Sequence, residues 1–538
     1  MELVILMLTA GSAVVEIRCG CIYSLEEEYT LLLNGETWGT AQKVVTSLFG
    51  LCPDRDYRLQ LAGADGRIRG EVCFHTEAEA AVLNVRDFGA SGDGEQDDTV
   101  FIQAAVMACP KSGRVRIPRG KYRVTSLFLK SDLNLELEEG AVLLYDGRPG
   151  RLPVLPGHFS GEGAESFSLG SWEGEAADMY AALFTGCGVE NVNLYGRGCI
   201  RGGASMDNWW KQENRQSTPH RPRMLYLTRC TNIRVHGLHF SMCPSWCIHP
   251  CFCRDLGFYH IEIRNPENSP NTDGLNPESC ECVDIAGCHF SLGDDCIAIK
   301  SGKGKRAQDK PVPGCHITIR QCFMENGHGG VTIGSEISSG IHHVTVRDCR
   351  FRHTDRGLRI KTRRGRGKAC VVDDVLFENI CMEEVETPFV LNCYYSCEPD
   401  GRSDYVQSKE ALPVDARTPC VGNLVFRHIY CMDCHIAGAF FYGLPEKKIK
   451  SITMEDVRIR YAAFARAGLP AMMCGIPEMR RTGLFFRNVE RLNLSGIDIR
   501  GQETEAVDAV NVDIIVRVDG PQTGGTTVRP VYADILMK

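Results

Sequence analysis

Six short runs decide the fold: Asn232-Ile233-Arg234-Val235, His260-Ile261-Glu262-Ile263, Val283-Asp284-Ile285, His316-Ile317-Thr318-Ile319, His343-Val344-Thr345-Val346 and Val375-Leu376-Phe377. Each is an aliphatic, largely β-branched strand signal, and such runs recur every 20 to 30 residues or so with Asn, Asp and Gly between them. A unit this short cannot bury its apolar side alone, so neighbouring turns must stack. The pattern holds from about Val124 to Ile499 with almost no helical periodicity. The expected fold is therefore all-β, a right-handed parallel β-helix. Cys322, Phe323, Cys349, Phe351, Phe377 and Cys381 read as side-chain ladders inside the coil.

Upstream, Asn84-Val85-Arg86-Asp87-Phe88-Gly89-Ala90 and Asp97-Asp98-Thr99 lead into a helix over Val100–Ala108. Asp98 or Thr99 is placed to cap it, since a side-chain oxygen there accepts from orphan N–H groups. The helix is expected to plug one end of the coil. Ahead of it, residues 1–80 carry alternating runs at Ala13–Arg18, Tyr29–Leu33, Lys43–Leu51 and Tyr57–Ala62, with turn signals at Asn34-Gly35 and Pro53-Asp54. These predict a small antiparallel β-sandwich, linked through Ala78–Ala81 to a second domain over residues 81–538.

Of 538 residues, 43% are hydrophobic and 24% charged, which excludes wholesale disorder and collagen-like structure. Sixty Lys and Arg against 68 Asp and Glu leave a net charge of -8, which argues against a nucleic-acid or membrane-surface protein. Arg363-Arg364-Gly365-Arg366-Gly367-Lys368 is basic but short and without interleaved aromatics, so no nucleic-acid partner is expected. No stretch is long and apolar enough to cross a bilayer. Leu3–Ala10 follows the acidic Glu2 and has no convincing cleavage site, so it reads as an edge of the first domain rather than an export signal. The 27 Cys are odd in number and scattered, pointing to reduced thiols in the cytoplasm rather than a disulfide scaffold. Cys251 and Cys253, and likewise Cys280 and Cys282, are expected to share a strand face; no finger-like spacing of CxxC pairs occurs, and neither metal nor cofactor is expected.

Aligning the turns places Leu275, then Ile297 and Ile299, then Val331 and Ile333, then Leu358 and Ile360 inward. Strand alternation then points Arg359 and Lys361 outward together. In the same frame Asp273 and Asp295 are equivalent on successive turns about 4.8 Å apart, with Asp294 beside them and His328 one turn further on. A lone Asp at a coil corner ordinarily caps backbone. Three acids gathered on one wall cost stability, however, and scaffolding alone does not explain them.

Asn271-Thr272-Asp273, Gly293-Asp294-Asp295, Gly327-His328-Gly329 and Arg359-Ile360-Lys361 stand in the order and spacing of the polygalacturonase family, glycoside hydrolase family 28, which the chain resembles from residue 84 to about 500. Pro244-Ser245-Trp246 with His249-Pro250 is similar too. The resemblance implies an inverting glycosidase acting on α-1,4-linked galacturonides, with Asp294 as general acid and Asp273 and Asp295 holding and deprotonating the attacking water. An inverting enzyme spaces acid and base about 6.5 to 9.5 Å apart, so Asp294 should face the other pair across the sugar. His328 would tune or orient the acid. Repulsion among the carboxylates should raise at least one pKa.

Substrate carboxylates are expected at Arg359 and Lys361, with Lys300, Lys303, Lys305, Arg306, Arg356, Arg363, Arg364 and Arg366 making a focused positive cleft. Tyr395 resembles the family's substrate-stacking tyrosine, and Asn271 and His249, with Trp246, are further candidate sugar contacts. Loops between residues 145 and 222, with Trp172, Trp209 and Trp210, are candidates for closing one end of the cleft. Leu51, Pro53 and Tyr57 give the first domain the look of a fibronectin type III unit, an arrangement similar to some bacterial exo-acting members. A cytoplasmic enzyme would meet imported oligogalacturonides and trim them from one end. The competing readings are a calcium-dependent pectate lyase on the same fold, and a non-catalytic carbohydrate-binding solenoid.

Overall fold

The computed structural model describes residues 1–160, 168–215 and 217–518. Its main body is a right-handed parallel β-helix of stacked, in-register strands. Three columns run along it. One column stacks Thr231–His236, Arg254–Tyr259, Glu281–Ala286, Gly314–Arg320 and Ile341–Arg352. A second stacks His239–Ser241, Glu262–Arg264, His289–Leu292 and Phe323–Asn326. The third stacks Ile248–Cys251, Ile297–Ile299, Val331–Ile333, Arg356–Lys361 and Thr387–Asn392, with Leu275 bridging the first two.

Register follows from burying one residue in two: Ile233, Leu256, Val283, Ile317, Val344 and Val375 lie one above another in the core. Each rung holds one strand from each column, separated by bends, so apolar runs of different columns interleave along the sequence. His260–Ile263 accordingly does not stack on Asn232–Val235; the matching strand is Arg254–Tyr259, and Glu262–Arg264 belongs to the second column. Asn232, Asp255, Cys282, His316, His343 and Asp374 all adopt left-handed φ between 52° and 58°, forming a stacked corner that resets side-chain alternation. Cys280 is consequently buried and Cys282 exposed, against the expectation of a shared face, whereas Cys251 and Cys253 are both buried.

Cys288, Cys322 and Cys349 form the expected interior ladder, and Phe351, Phe377 and Cys381 are buried. Phe323 and Cys381 depart from the expectation: both lie in the outward row with Arg350, Cys381 covered from solvent and the Phe323 ring 5.5 Å from Tyr23 and 4.8 Å from His289. The helix forms over Thr99–Ala108 and adds Ile102, Ala105 and Val106 to the coil's core. Asp98 does not cap it, because its carboxylate accepts from the Ser91 and Gly92 N–H groups instead.

Residues Glu2–His75 form two antiparallel sheets of three and four strands around a common apolar core. The Asn34-Gly35 turn joins Ser24–Leu33 to Glu36–Lys43 as read from the sequence. Tyr57 Oη accepts from the Cys52 N–H at 2.8 Å, clasping the corner before Asp56–Ala62. These sheets pack directly on the coil. Buried Glu16 accepts from Arg320 at 2.7 Å, and Ser12 Oγ and the ring of His236 are 3.0 Å apart.

Candidate active site

The third column carries the acids. Leu275 pairs with Ile297, which puts Asp273 and Asp295 at matching positions of consecutive rungs with Asp294 adjoining. One carboxylate oxygen from each of the three lies within 4.8 Å of the other two. That is closer than the separation expected across a sugar, because rung spacing and direct sequence adjacency both hold the carboxyls together.

Their environments differ. Asp295 Oδ1 accepts from Thr332 Oγ1 at 2.8 Å and Arg359 Nη1 at 3.2 Å, and its Oδ2 accepts from Lys361 Nζ at 2.8 Å. Burial pushes its pKa up, but the two cations overcome this and hold it well below the usual carboxylate range. Gly329 makes the approach possible, since a Cβ there would lie 2.8 Å from Asp295 Oδ1 and 2.5 Å from Thr332 Oγ1. Asp273 has one side-chain donor, Asn276 Nδ2 at 3.0 Å. Burial, and then the charge of Asp294, pushes Asp273 up to about 8. Repulsion does raise one acid, and the raised one is Asp273. Asp294 Oδ1 accepts from the Asp295 N–H at 2.9 Å.

His328 lies beside this group, but its ring is 2.7 Å from Asp355 rather than bonded to Asp294. Asp355 raises its pKa, with a further contribution from the charge of Asp294. Asp355 was not read from the sequence; its position one rung below His328 is visible only once the register is known. Thr332, Asn276 and Glu336 were missed likewise.

The cations are less open than expected. Arg359 and Lys361 point outward together, yet both are spent chiefly on Asp295, and Arg359 Nη2 also touches Met472 Sδ. Lys300 is buried, 2.7 Å from Glu336 and 4.3 Å from the Trp246 ring centre. Glu336 and Asp273 raise its pKa against the effect of burial. Arg363 and Arg366 are tied to Glu398, Arg364 to Glu446, Arg356 to Asp355 and Lys305 to Asp309. The expected positive cleft is therefore mostly an ion-pair network, built by near neighbours at Arg356 and Lys305 and by acids distant in sequence at Arg363, Arg364 and Arg366.

Tyr395 sits at the cleft with Lys361 Nζ 5.7 Å from its ring centre, while Tyr394 is buried. Asn271 Oδ1 accepts from Arg221 Nη2 at 2.7 Å. His249 is wholly buried, 2.9 Å from Glu278, so it supports the wall instead of meeting sugar. Trp246 is buried with Arg223 over its ring at 4.6 Å. Of the three loop tryptophans, Trp209 and Trp210 belong to the core, and Trp172 alone is partly exposed. Residues 161–167 and 216 of that loop region lie outside the described residues.

The family model "Glycosyl hydrolases family 28" matches residues 157–416. A "Probable polygalacturonase" of Vitis vinifera is 30% identical over 391 residues, covering 71% of this chain and 74% of that protein. The chain belongs to glycosyl hydrolase family 28. An "Endo-polygalacturonase" of Pectobacterium parmentieri is 31% identical over 313 residues, covering 55% of this chain and 72% of that one. In fold, the Yersinia enterocolitica family 28 exopolygalacturonase superposes with a TM-score of 0.68 at 18% identity, covering 97% of this chain and 99% of that one. Endo- and exo-acting names both occur among these proteins.

Proposed function

We propose that the protein hydrolyses α-1,4-galacturonosidic bonds of oligogalacturonides, releasing galacturonate from one end with inversion. The observation that carries this reading is the opposed setting of two stacked acids: Asp295 is held by Arg359, Lys361 and Thr332, which keep it well below the usual carboxylate range, while Asp273 is buried against one amide and the charge of Asp294, which push it up to about 8. Glycoside hydrolysis needs that pairing of one protonated and one ionised carboxyl. In the proposed assignment Asp294, at the cleft end of the trio, protonates the leaving oxygen and passes on the proton of Asp273, whose carboxyl lies within 4.8 Å. Asp295, fixed by Arg359, Lys361 and Thr332, deprotonates the attacking water, which Asp273 helps to hold by hydrogen bonding. Asp355 holds His328 beside Asp294. Arg359, Lys361, Lys300 and Tyr395 bind the uronate, with Asn271 and His249 as supports held by Arg221 and Glu278.

The end-on mode is supported by a hairpin over Ser171–Ala176. Its tip reaches the rung beside Lys300, where Gly174 O accepts from the Lys303 N–H at 3.0 Å. Gly174 has φ +81°, and a Cβ there would lie 2.9 Å from Glu336 Cβ. Trp172 rides on this hairpin, stacked on His220 at 4.6 Å and walling one side of the cleft. Residues 1–80 are proposed as a separate fibronectin type III-like domain ahead of a catalytic domain over 81–538, on the grounds of the two sheets and the Tyr57 clasp. Cytoplasmic residence is proposed from the 27 free thiols.

The lyase reading would use Asp273, Asp294 and Asp295 to hold calcium, and their spacing suits a cation. Lys361 and Arg359 already occupy both oxygens of Asp295, which disfavours that use. The deciding experiment is product analysis on trigalacturonate in the presence of chelator. Galacturonate and digalacturonate without ultraviolet-absorbing product support the proposal; an unsaturated product lost in chelator overturns it.

A further inference from the structure

A second cluster of chemically able side chains lies in the first strand column, apart from the acids of the third. Glu281 and Cys315 are register partners on neighbouring rungs, and the residues that follow them, Cys282 and His316, occupy the stacked left-handed corner with φ of 58° and 55°. The corner brings adjacent side chains to the same side of the backbone, where a regular strand would send them to opposite faces. One ligand atom each from Glu281, Cys315 and His316 lies within 4.8 Å of the others. Cys282 is exposed and follows Glu281 as His316 follows Cys315, but its sulfur lies outside this group of three.

The next rung steadies this group. The ring of His343 stacks on His316 with centres 4.8 Å apart and planes 11° apart, and His343 in turn bonds Asp374. A metal-ligating imidazole is ordinarily oriented by such an outer layer of contacts. Arg254 stands 3.6 Å from Glu281, but both side chains are largely exposed, so this pair is weak and yields readily to a divalent ion. Thiol, imidazole and carboxylate donors together suit a borderline-soft tetrahedral cation and suit calcium or magnesium poorly.

We propose that Glu281, Cys315 and His316 bind one zinc-class divalent cation on the outside of the coil, with the fourth position left to water. The ion would clip two rungs together at their corner. Cys315 ligates as the thiolate, so binding displaces its proton to solvent as the metal–sulfur bond forms.

The test is a Co2+ titration of the chelator-stripped full chain under thiol-protecting conditions, read by the thiolate-to-cobalt charge-transfer band and by displacement with Zn2+. The expected result is one equivalent with that band, weakened at least tenfold in both Cys315→Ser and His316→Ala, while both variants hydrolyse trigalacturonate like the wild type. No charge-transfer band, or unchanged binding in the two variants, overturns the proposal. So does binding that survives Cys315→Ser and is lost in Cys251→Ser, which would place the ion at the buried His249, Cys251 and Glu278 group instead.

Discussion

Asp273 and Asp295 occupy matching positions on consecutive rungs, yet their carboxyls are driven in opposite directions. Identical backbone placement leaves the difference to neighbours. Asp295 gains two cations and a hydroxyl from the next two rungs, whereas Asp273 has a neutral amide and the nearby charge of Asp294. The opposed titration of these two acids is the basis of each prediction about pH and charge that follows.

Stability should fall with rising pH on account of Asp273. Its folded pKa of about 8 lies above the unfolded carboxylate value, so the folded state holds an extra proton between roughly pH 4 and 8 and loses stability across that window. Asp295 works the other way: its contribution is present above the usual carboxylate range and is lost on acidification. Asp273→Asn should therefore stabilise the protein by more than about 1 kcal/mol at pH 7.5 and by less at pH 4, measured by urea unfolding at both values. Wild-type kcat/KM should decline above about pH 8 as the proton of Asp273 is lost.

Lys361→Met should destabilise strongly, because it leaves Asp295 buried and short of one partner. Removing one member of a buried pair costs about 3–5 kcal/mol. Lys361→Arg should retain most of the stability, and the comparison separates charge from packing in a denaturation experiment.

The first-formed product should be the β-anomer of galacturonate. The three acids are closer than inverting enzymes ordinarily require, which on spacing alone would suit retention. Asp295 is nevertheless clamped by three donors and Asp273 is protonated, so neither offers a free carboxylate nucleophile. Proton NMR of the anomeric signal during early turnover decides the point: net retention would mean one of these acids attacks the sugar directly.

Removing the hairpin should change the product pattern. Replacing residues 172–175 by a Gly-Gly turn takes away Trp172 and the contact of Gly174 with Lys303. On polygalacturonate the variant should release oligomers of mixed length where the wild type releases monosaccharide, read by anion-exchange chromatography.

Much of the fold was legible because burial of one residue in two leaves its mark on Ile233, Val283, Ile317, Val344 and Val375. His260–Ile263 was misplaced because two columns share one composition, and only hydrogen-bond register tells them apart. The acids and the outward pair Arg359 and Lys361 were legible from strand alternation and motif order. What the sequence hid was pairing at long range: Glu398, Glu446 and Glu336 neutralise cations that look free when read along the chain. Burial of His249 was equally hidden, since a histidine facing the coil wall and one facing the cleft have the same local sequence.

The central claim is that Asp294 is the proton donor in a three-carboxylate centre, and the most direct test is steady-state hydrolysis of trigalacturonate by Asp294→Asn. The account predicts a kcat lower by about 10²–10⁴-fold, with KM changed by less than about threefold. A variant turning over within about tenfold of the wild-type rate would contradict it.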